Sequence, residues 1–277
     1  MKKILVPVDF SEYSEYALKV AANLAKQHNA EIIALHMMGI SDAVLSKNQS
    51  KQMLEGIYFM KLAEKRFAEF LDKDYLKGIN VTDTVYNYKN FSELNAVALE
   101  NEADIIIMGS HGSSGLSEVF VGSNTEKVVR NSDIPVLVVK HEMDEFKINN
   151  AVLACEFASE NVKAYHKAMN FFKALDAEVK LLYVNLPGQN YGSTNEMIER
   201  VHKFLLEADG NLNQVENVVY YNDYSVEDGI FNYSNYAGID MIALPTHGRR
   251  GLSHFFSGSI SEDLVNHSKI PVVTFKI

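Results

Sequence analysis

Cysteine occurs once in the chain, at Cys155, so no internal disulfide forms and a reducing compartment suits the protein. Long apolar runs are missing too. The opening stretch from Met1 to Asp9 begins like a leader, with Lys2 and Lys3 ahead of Ile4, Leu5 and Val6. The run stops at Asp9, short of the roughly 7–15 apolar residues of a secretory core. No stretch approaches the roughly 20 apolar residues of a membrane span. Basic clusters are also lacking. Lys and Arg number 26 against 36 Asp and Glu, a net charge of −10. Nucleic acid and anionic membranes are recruited by clustered positive charge, so neither is an expected partner. The acidic balance itself reads as solubility, and the expected location is cytoplasmic.

Several enzyme signatures are absent as well. There is no G-x-x-x-x-G-K-[S/T] phosphate loop, no G-x-G-x-x-G after the first strand, and no G-x-S-x-G nucleophile elbow. The nine histidines show no metal-ligand spacing. His111 and His247 sit in glycine-containing loops, but neither has a nucleophile beside it in sequence. No catalytic residue is assigned.

What the chain does have is a repeat. Its 277 residues suit two domains of roughly 150 each. Hydrophobic residues at 47% and charged residues at 22% give each half enough to bury a core of its own. Residues 104–140 align without gaps on 240–276, an offset of 136, with 17 identities in 37 positions. The N-terminal parts align at an offset of 147, pairing Asp9 with Glu156 and Phe10 with Phe157. The second half is therefore 11 residues shorter, and the deletion is expected where 40–75 faces 187–210. The domains are placed at 1–143 and 148–277, joined by a short polar connector.

Apolar β-branched runs alternate with helical periodicity. Strands are expected at 4–8, 31–36, 80–86, 104–108 and 135–139, and again from 151–155 to 271–275. Ser11 is the expected N-cap of a helix whose inner face carries Ala17, Ala21, Leu24 and Ala25. Met53, Ile57, Met60, Phe67 and Phe70 mark a second packed helix face. Leu94, Val97 and Ala98 mark a third helix, and Ser123 opens a fourth carrying Val128 and Val129. This order predicts, twice over, a doubly wound five-stranded parallel sheet of α/β class. Tyr220, Tyr221, Tyr224, Tyr233 and Tyr236 are read as sheet-edge and helix-packing residues.

Ligands of such sheets bind beyond the C-terminal strand ends. The segments there are 7–11, Met37 and the glycine loop after the fourth strand. That loop holds Gly109, His111, Gly112, Gly115, Gly122 and Ser123. Glycine lets backbone N–H groups approach an anion, and a helix opening at Gly122-Ser123 offers its free N–H groups and dipole. Ser123 and Thr125 add hydroxyls.

With the G-x2-G-x9-G-[S/T] spacing of Gly109, Gly112, Gly122 and Ser123, and with Pro7-Val8-Asp9-Phe10-Ser11 after the first strand, the chain resembles the universal stress protein family over essentially its whole length, as a tandem of two domains. Members that bind ATP carry this spacing. The resemblance implies a Rossmann-like fold of the adenine nucleotide alpha hydrolase kind and an ATP-binding role in the stress response. It further implies that Asp9 and the backbone of Met37 meet adenine, that Gly109 lies near the ribose, and that Gly112, Gly122, Ser123 and Asn124 hold the phosphates, with Mg2+ on the phosphate tail. The candidate cofactor site is thus Pro7, Asp9, Ser11, Met37, Met108, Gly109, His111, Gly112, Gly122, Ser123, Asn124 and Thr125, with no metal-ligating side chain. The family commonly pairs domains through the last strand, which here implies an intramolecular pseudo-dimer and leaves a homodimer open.

The second half departs from the pattern: Pro245 stands for Gly109 and Glu156 for Asp9, while Gly248, Gly258 and Ser259 remain. Arg249 and Arg250 flank that loop and are read as a solvated surface pair ahead of a phosphate grip. Two classes stay open. One is a regulatory nucleotide binder with its ATP mainly in the first half. The other is a slow ATP hydrolase or transferase, or a scaffold of the same fold that binds no nucleotide.

Overall fold

The computed structural model describes residues 1–37, 49–86, 93–110, 123–246, 265 and 267–277. The chain divides into two compact units, Met1–Phe146 and Lys147–Ile277.

In the first unit the order is β1 (Lys3–Pro7), α1 (Glu12–His28), β2 (Glu31–Met37), α2 (Gln49–Phe70), β3 (Val81–Tyr86), α3 (Leu94–Glu100), β4 (Ile105–Gly109), α4 (Ser123–Asn131) and β5 (Val136–Val139). The strands lie in the order β3-β2-β1-β4-β5, and every pairing is parallel. Chain order runs outward from β1 to β3, then returns to the other side of β1 with β4. The winding therefore reverses between β1 and β4.

The second unit repeats this with β6 (Asn150–Ala154), α5 (Val162–Ala174), β7 (Glu178–Asn185), α6 (Thr194–Asp209), β8 (Val218–Asn222), α7 (Val226–Ala237), β9 (Met241–Thr246) and β10 (Val272–Lys276). Its order is β10-β9-β6-β7-β8, again all parallel. The missing 11 residues fall where the repeat puts them. Residues 38–80 separate β2 from β3, and the shorter 186–217 separate β7 from β8.

The central strands are apolar because helices cover both faces. Ile4, Leu5 and Val6 of β1 and Ile106 and Ile107 of β4 are fully buried. Each such side chain contributes about 1.5–3 kcal/mol relative to exposure. α1 shows why a helix forms over 12–28. Ser11, in extended conformation, accepts the Ser14 N–H at 3.3 Å. Glu12 and Glu15 complement the N-terminal dipole end, and Lys26 and His28 the C-terminal end. Ala17, Ala21, Leu24 and Ala25 form the buried face, as their spacing requires, and Asn29 closes the helix at φ 51°. Phe67 of α2, Leu94, Val97 and Ala98 of α3, and Val128 and Val129 of α4 are likewise buried. Met60 and Phe70 are half-buried, and the side chains of Met53 and Ile57 lie outside the described residues.

The tyrosines of the second half divide. Tyr221 packs edge-on against Tyr233, 5.7 Å between rings, and Tyr220 meets Tyr183 at 6.1 Å. Tyr224 and Tyr236 are 88% and 86% exposed, so the packing reading is corrected for these two. Tyr224 lies in the β8–α7 turn. Tyr236 follows the buried Tyr233 by three residues on α7 and projects outward.

Candidate functional site

The winding reversal puts the ends of β1 and β4 side by side. Pro7 closes β1, paired with Leu35 of β2. The next N–H, of Val8, still reaches the Leu35 carbonyl at 2.8 Å. The chain then turns. Asp9 is exposed, and its Oδ1 accepts both the backbone N–H of Ser11 (3.0 Å) and the Ser11 hydroxyl (2.5 Å). Ser11 thus caps α1 and fixes the Asp9 carboxylate with one hydroxyl.

The turn depends on Phe10, which adopts φ 64°, a left-handed conformation uncommon for a bulky residue. Its ring is held from several sides: His36 at 4.7 Å, Phe67 at 5.1 Å and Phe70 at 5.7 Å between centroids, with the Arg66 guanidinium 5.6 Å from the ring centre. His36 also bonds the Val8 carbonyl through Nδ1 at 2.7 Å. A carbonyl only accepts, so the proton sits on Nδ1. This aromatic seat anchors the backbone on both sides of Asp9. Sequence reasoning did not single out Phe10 or His36 as site-shaping residues. The signal was in the repeat, since the offset of 147 pairs Phe10 with Phe157 and His36 with Tyr183.

At β4, Met108 is buried and Gly109 is the last strand residue. A Cβ on Gly109 would lie 2.0 Å from the Tyr13 carbonyl oxygen and 2.3 Å from its carbonyl carbon. The first turn of α1 occupies that space. Gly109 therefore has a packing reason that no ligand is needed to explain. Ser110 N–H donates to the Val139 carbonyl at 3.0 Å, so by strand alternation the Gly109 N–H faces β1. Met37, buried at the end of β2, pairs with Tyr86. Ser123 begins α4; beyond it Asn124 is exposed and Thr125 is buried. Pro7, Asp9, Met37, Met108, Gly109 and the start of α4 thus belong to elements that meet at the C-terminal edge of one sheet. His111, Gly112 and Gly122 lie outside the described residues, as do His247, Gly248, Arg249, Arg250, Gly258 and Ser259. Lys140 follows β5 at the same edge and is buried, which pulls its ammonium down to about 8. Among the described residues no group of three or more His, Cys, Asp or Glu is placed to hold a metal ion. No described helix is long and apolar enough to cross a membrane.

The second unit keeps the turn and changes its lining. Phe157 again has positive φ, 53°, and its ring stacks on Tyr183 at 5.8 Å and meets Phe204 edge-on at 5.4 Å. Arg200 Nη1 donates to the Tyr183 hydroxyl at 3.3 Å. The cavity there, between Cys155, Glu156, Tyr183, Asn190, Arg200 and Val226, measures about 30 Å3. That is room for on the order of two waters. Burial pushes the Cys155 thiol up to about 12, so it is not a reactive thiolate. Pro245 sits inside β9, paired with Phe275. Ile242 N–H donates toward β10, to the Pro271 carbonyl, so the N–H missing at Pro245 would face β6. The β6–β9 pairing ends at Leu153 and Ala243, and the proline breaks no rung there.

Comparison with known proteins agrees over the whole chain. The model of the universal stress protein family matches residues 1–140 and again 148–276. The universal stress protein Slr1230 of Synechocystis is 24% identical over 305 aligned positions, covering all of both chains. The universal stress protein MJ0577 of Methanocaldococcus jannaschii is 36% identical over 155 positions, 51% of this chain and 96% of its own. Among solved structures, a universal stress protein from Archaeoglobus fulgidus superposes with a TM-score of 0.74 at 20% identity, covering 99% of this chain and 98% of its own.

Proposed function

The chain belongs to the universal stress protein family, and from that premise we propose that its first half is an ATP-binding regulatory domain. The observation that carries this reading is the convergence of Asp9 and Gly109 at the winding reversal, ahead of a glycine loop with the spacing of ATP-binding members. Asp9, held by Ser11 and backed by Phe10, offers an acceptor to the adenine amino group, and the Met37 backbone lines the same end. Gly112, Gly122, Ser123 and Asn124 hold the phosphates, aided by the dipole of α4. A Mg2+ ion would enter with the nucleotide and neutralise phosphate charge, with no side chain assigned to it. Nucleotide acts here as a stabiliser of one state in a cytoplasmic protein, not as a substrate.

A direct test is substitution at Gly122, where a branched side chain blocks the phosphate approach. Gly122→Val should lose ATP binding while keeping the far-UV spectrum of the parent. If Gly122→Val binds ATP as tightly as the parent, the loop is not the phosphate site.

The second half is proposed to bind ATP weakly or not at all. Glu156 brings a longer carboxylate, and Tyr183, with Arg200 tied to its hydroxyl, stands where the first half has His36. The halves are proposed to pair with each other through their last strands, β5 and β10, each apolar and otherwise a bare edge. Cysteine pairs scanned between the two strands, oxidised in the full chain, should give an intramolecular disulfide in at least one register. Failure in every register contradicts the pairing.

A further inference from the structure

Exposed large apolar side chains are unevenly placed in the second unit. Among its described residues they are Tyr191, Leu206, Leu212, Tyr220, Tyr224 and Tyr236. All fall on α6, β8, α7 and their adjoining loops, and none on α5, β6, β9 or β10. Single exposed apolar side chains are ordinary. A set confined to one edge of a sheet marks an interaction surface, and tyrosine is enriched in such surfaces.

The edge itself lacks the usual protection. β8 ends the strand order of its unit and reads Val-Val-Tyr-Tyr-Asn. It has no charge, no proline and no residue of positive φ, the devices that normally blunt an edge. Its counterpart β3 carries Asp83. Alternation decides which groups look outward. Asp223 N–H donates to the Asn185 carbonyl of β7, so Val219 and Tyr221 face β7 too. Tyr220 and Asn222 therefore turn both N–H and C=O to the open side. Val218 N–H is taken by the Val215 carbonyl, which leaves Val218 presenting its own carbonyl.

We infer that this edge pairs with β8 of a second copy of the chain, antiparallel about a two-fold axis at Tyr220. The strand is complementary to itself in that register. Tyr220 exchanges two backbone hydrogen bonds with Tyr220 of the second copy, and on each side Asn222 N–H meets a Val218 carbonyl. Within the paired span, Val218–Asn222, neither strand carries a charged side chain, so no acid meets an acid there. This matters for a chain of net charge −10, because like charges set opposite each other destabilise a ladder and net charge repels at longer range. A closed two-fold dimer is the commonest outcome of such self-complementarity. The inference is independent of the nucleotide reading.

Sedimentation velocity on the full chain tests it. At micromolar concentration the parent should sediment at about twice 31.1 kDa. Tyr220→Lys sets two lysines at the axis and Tyr220→Asp two aspartates, so each variant alone should lose self-association by about tenfold or more. Tyr220 lies at the rim of exposure, so both variants should keep the far-UV spectrum of the parent. An equimolar mixture, with Lys facing Asp, should recover the dimer. The inference is overturned if the parent is monomeric, if either variant alone dimerises as the parent does, or if the mixture of two folded variants stays monomeric.

Discussion

Gly109 carries no Cβ because the backbone of Tyr13 stands where one would go. Backbone cannot swing aside as a side chain can, so Gly109→Ala must shift the first turn of α1. Its expected cost is that of overpacking, about 1–3 kcal/mol. Denaturant unfolding without nucleotide measures it, and a stability equal to the parent's contradicts the packing account. Lys140 makes a pH prediction. Burial lowers its value from 10.5 to about 8, so between those values the unfolded chain holds more protons than the folded one. Stability contributed by this group is least below about pH 8 and rises with pH up to about 10.5. Lys140→Met should flatten that rise. A rise of the same slope in the variant would show that another group causes it.

The turn joining β1 to α1 binds three roles into a few residues. Ser11 caps the helix and orients Asp9, so Ser11→Ala should cost about 1 kcal/mol as a lost cap and loosen the carboxylate as well. Phe10→Ala removes the ring that rests on His36 and Phe67. Phe10 is half-buried, so its loss should cost less than the about 3–5 kcal/mol of a fully buried phenylalanine. It should also weaken ATP binding. Calorimetry showing unchanged affinity in a folded Phe10→Ala would remove Phe10 from the site. Much of the element pattern was legible in the sequence, because it is written in local periodicity. The Ser11 cap, the alanine face of α1 and the apolar strands each follow from spacing alone. The seat of Phe10 was not legible, since positive φ at a phenylalanine and ring contacts with β2 and α2 arise only from tertiary packing. Gly109 was visible as a needed glycine, but the spacing pointed to a ligand, and the α1 backbone that crowds it comes from nearly a hundred residues away in sequence. Tyr224 and Tyr236 misled because composition does not tell which side of a helix or turn an aromatic residue takes.

Across the molecule, one fold has been used twice with different linings. Both units keep a left-handed phenylalanine after the first strand and the same winding reversal. The first offers Asp9, His36 and Gly109 there; the second offers Glu156, Tyr183 and Pro245, with Arg200 tied to Tyr183. In the proposed site these changes fall at one end of one ligand, where the effects of neighbouring substitutions couple. Returning the second lining toward the first, with Glu156→Asp, Tyr183→His and Pro245→Gly together, should raise the number of nucleotides bound. The most direct measurement is titration calorimetry of the full chain with ATP in the presence of Mg2+. The account predicts about one ATP per chain, lost in Gly122→Val. Two equivalent sites per chain, or a single site untouched by Gly122→Val, would contradict it.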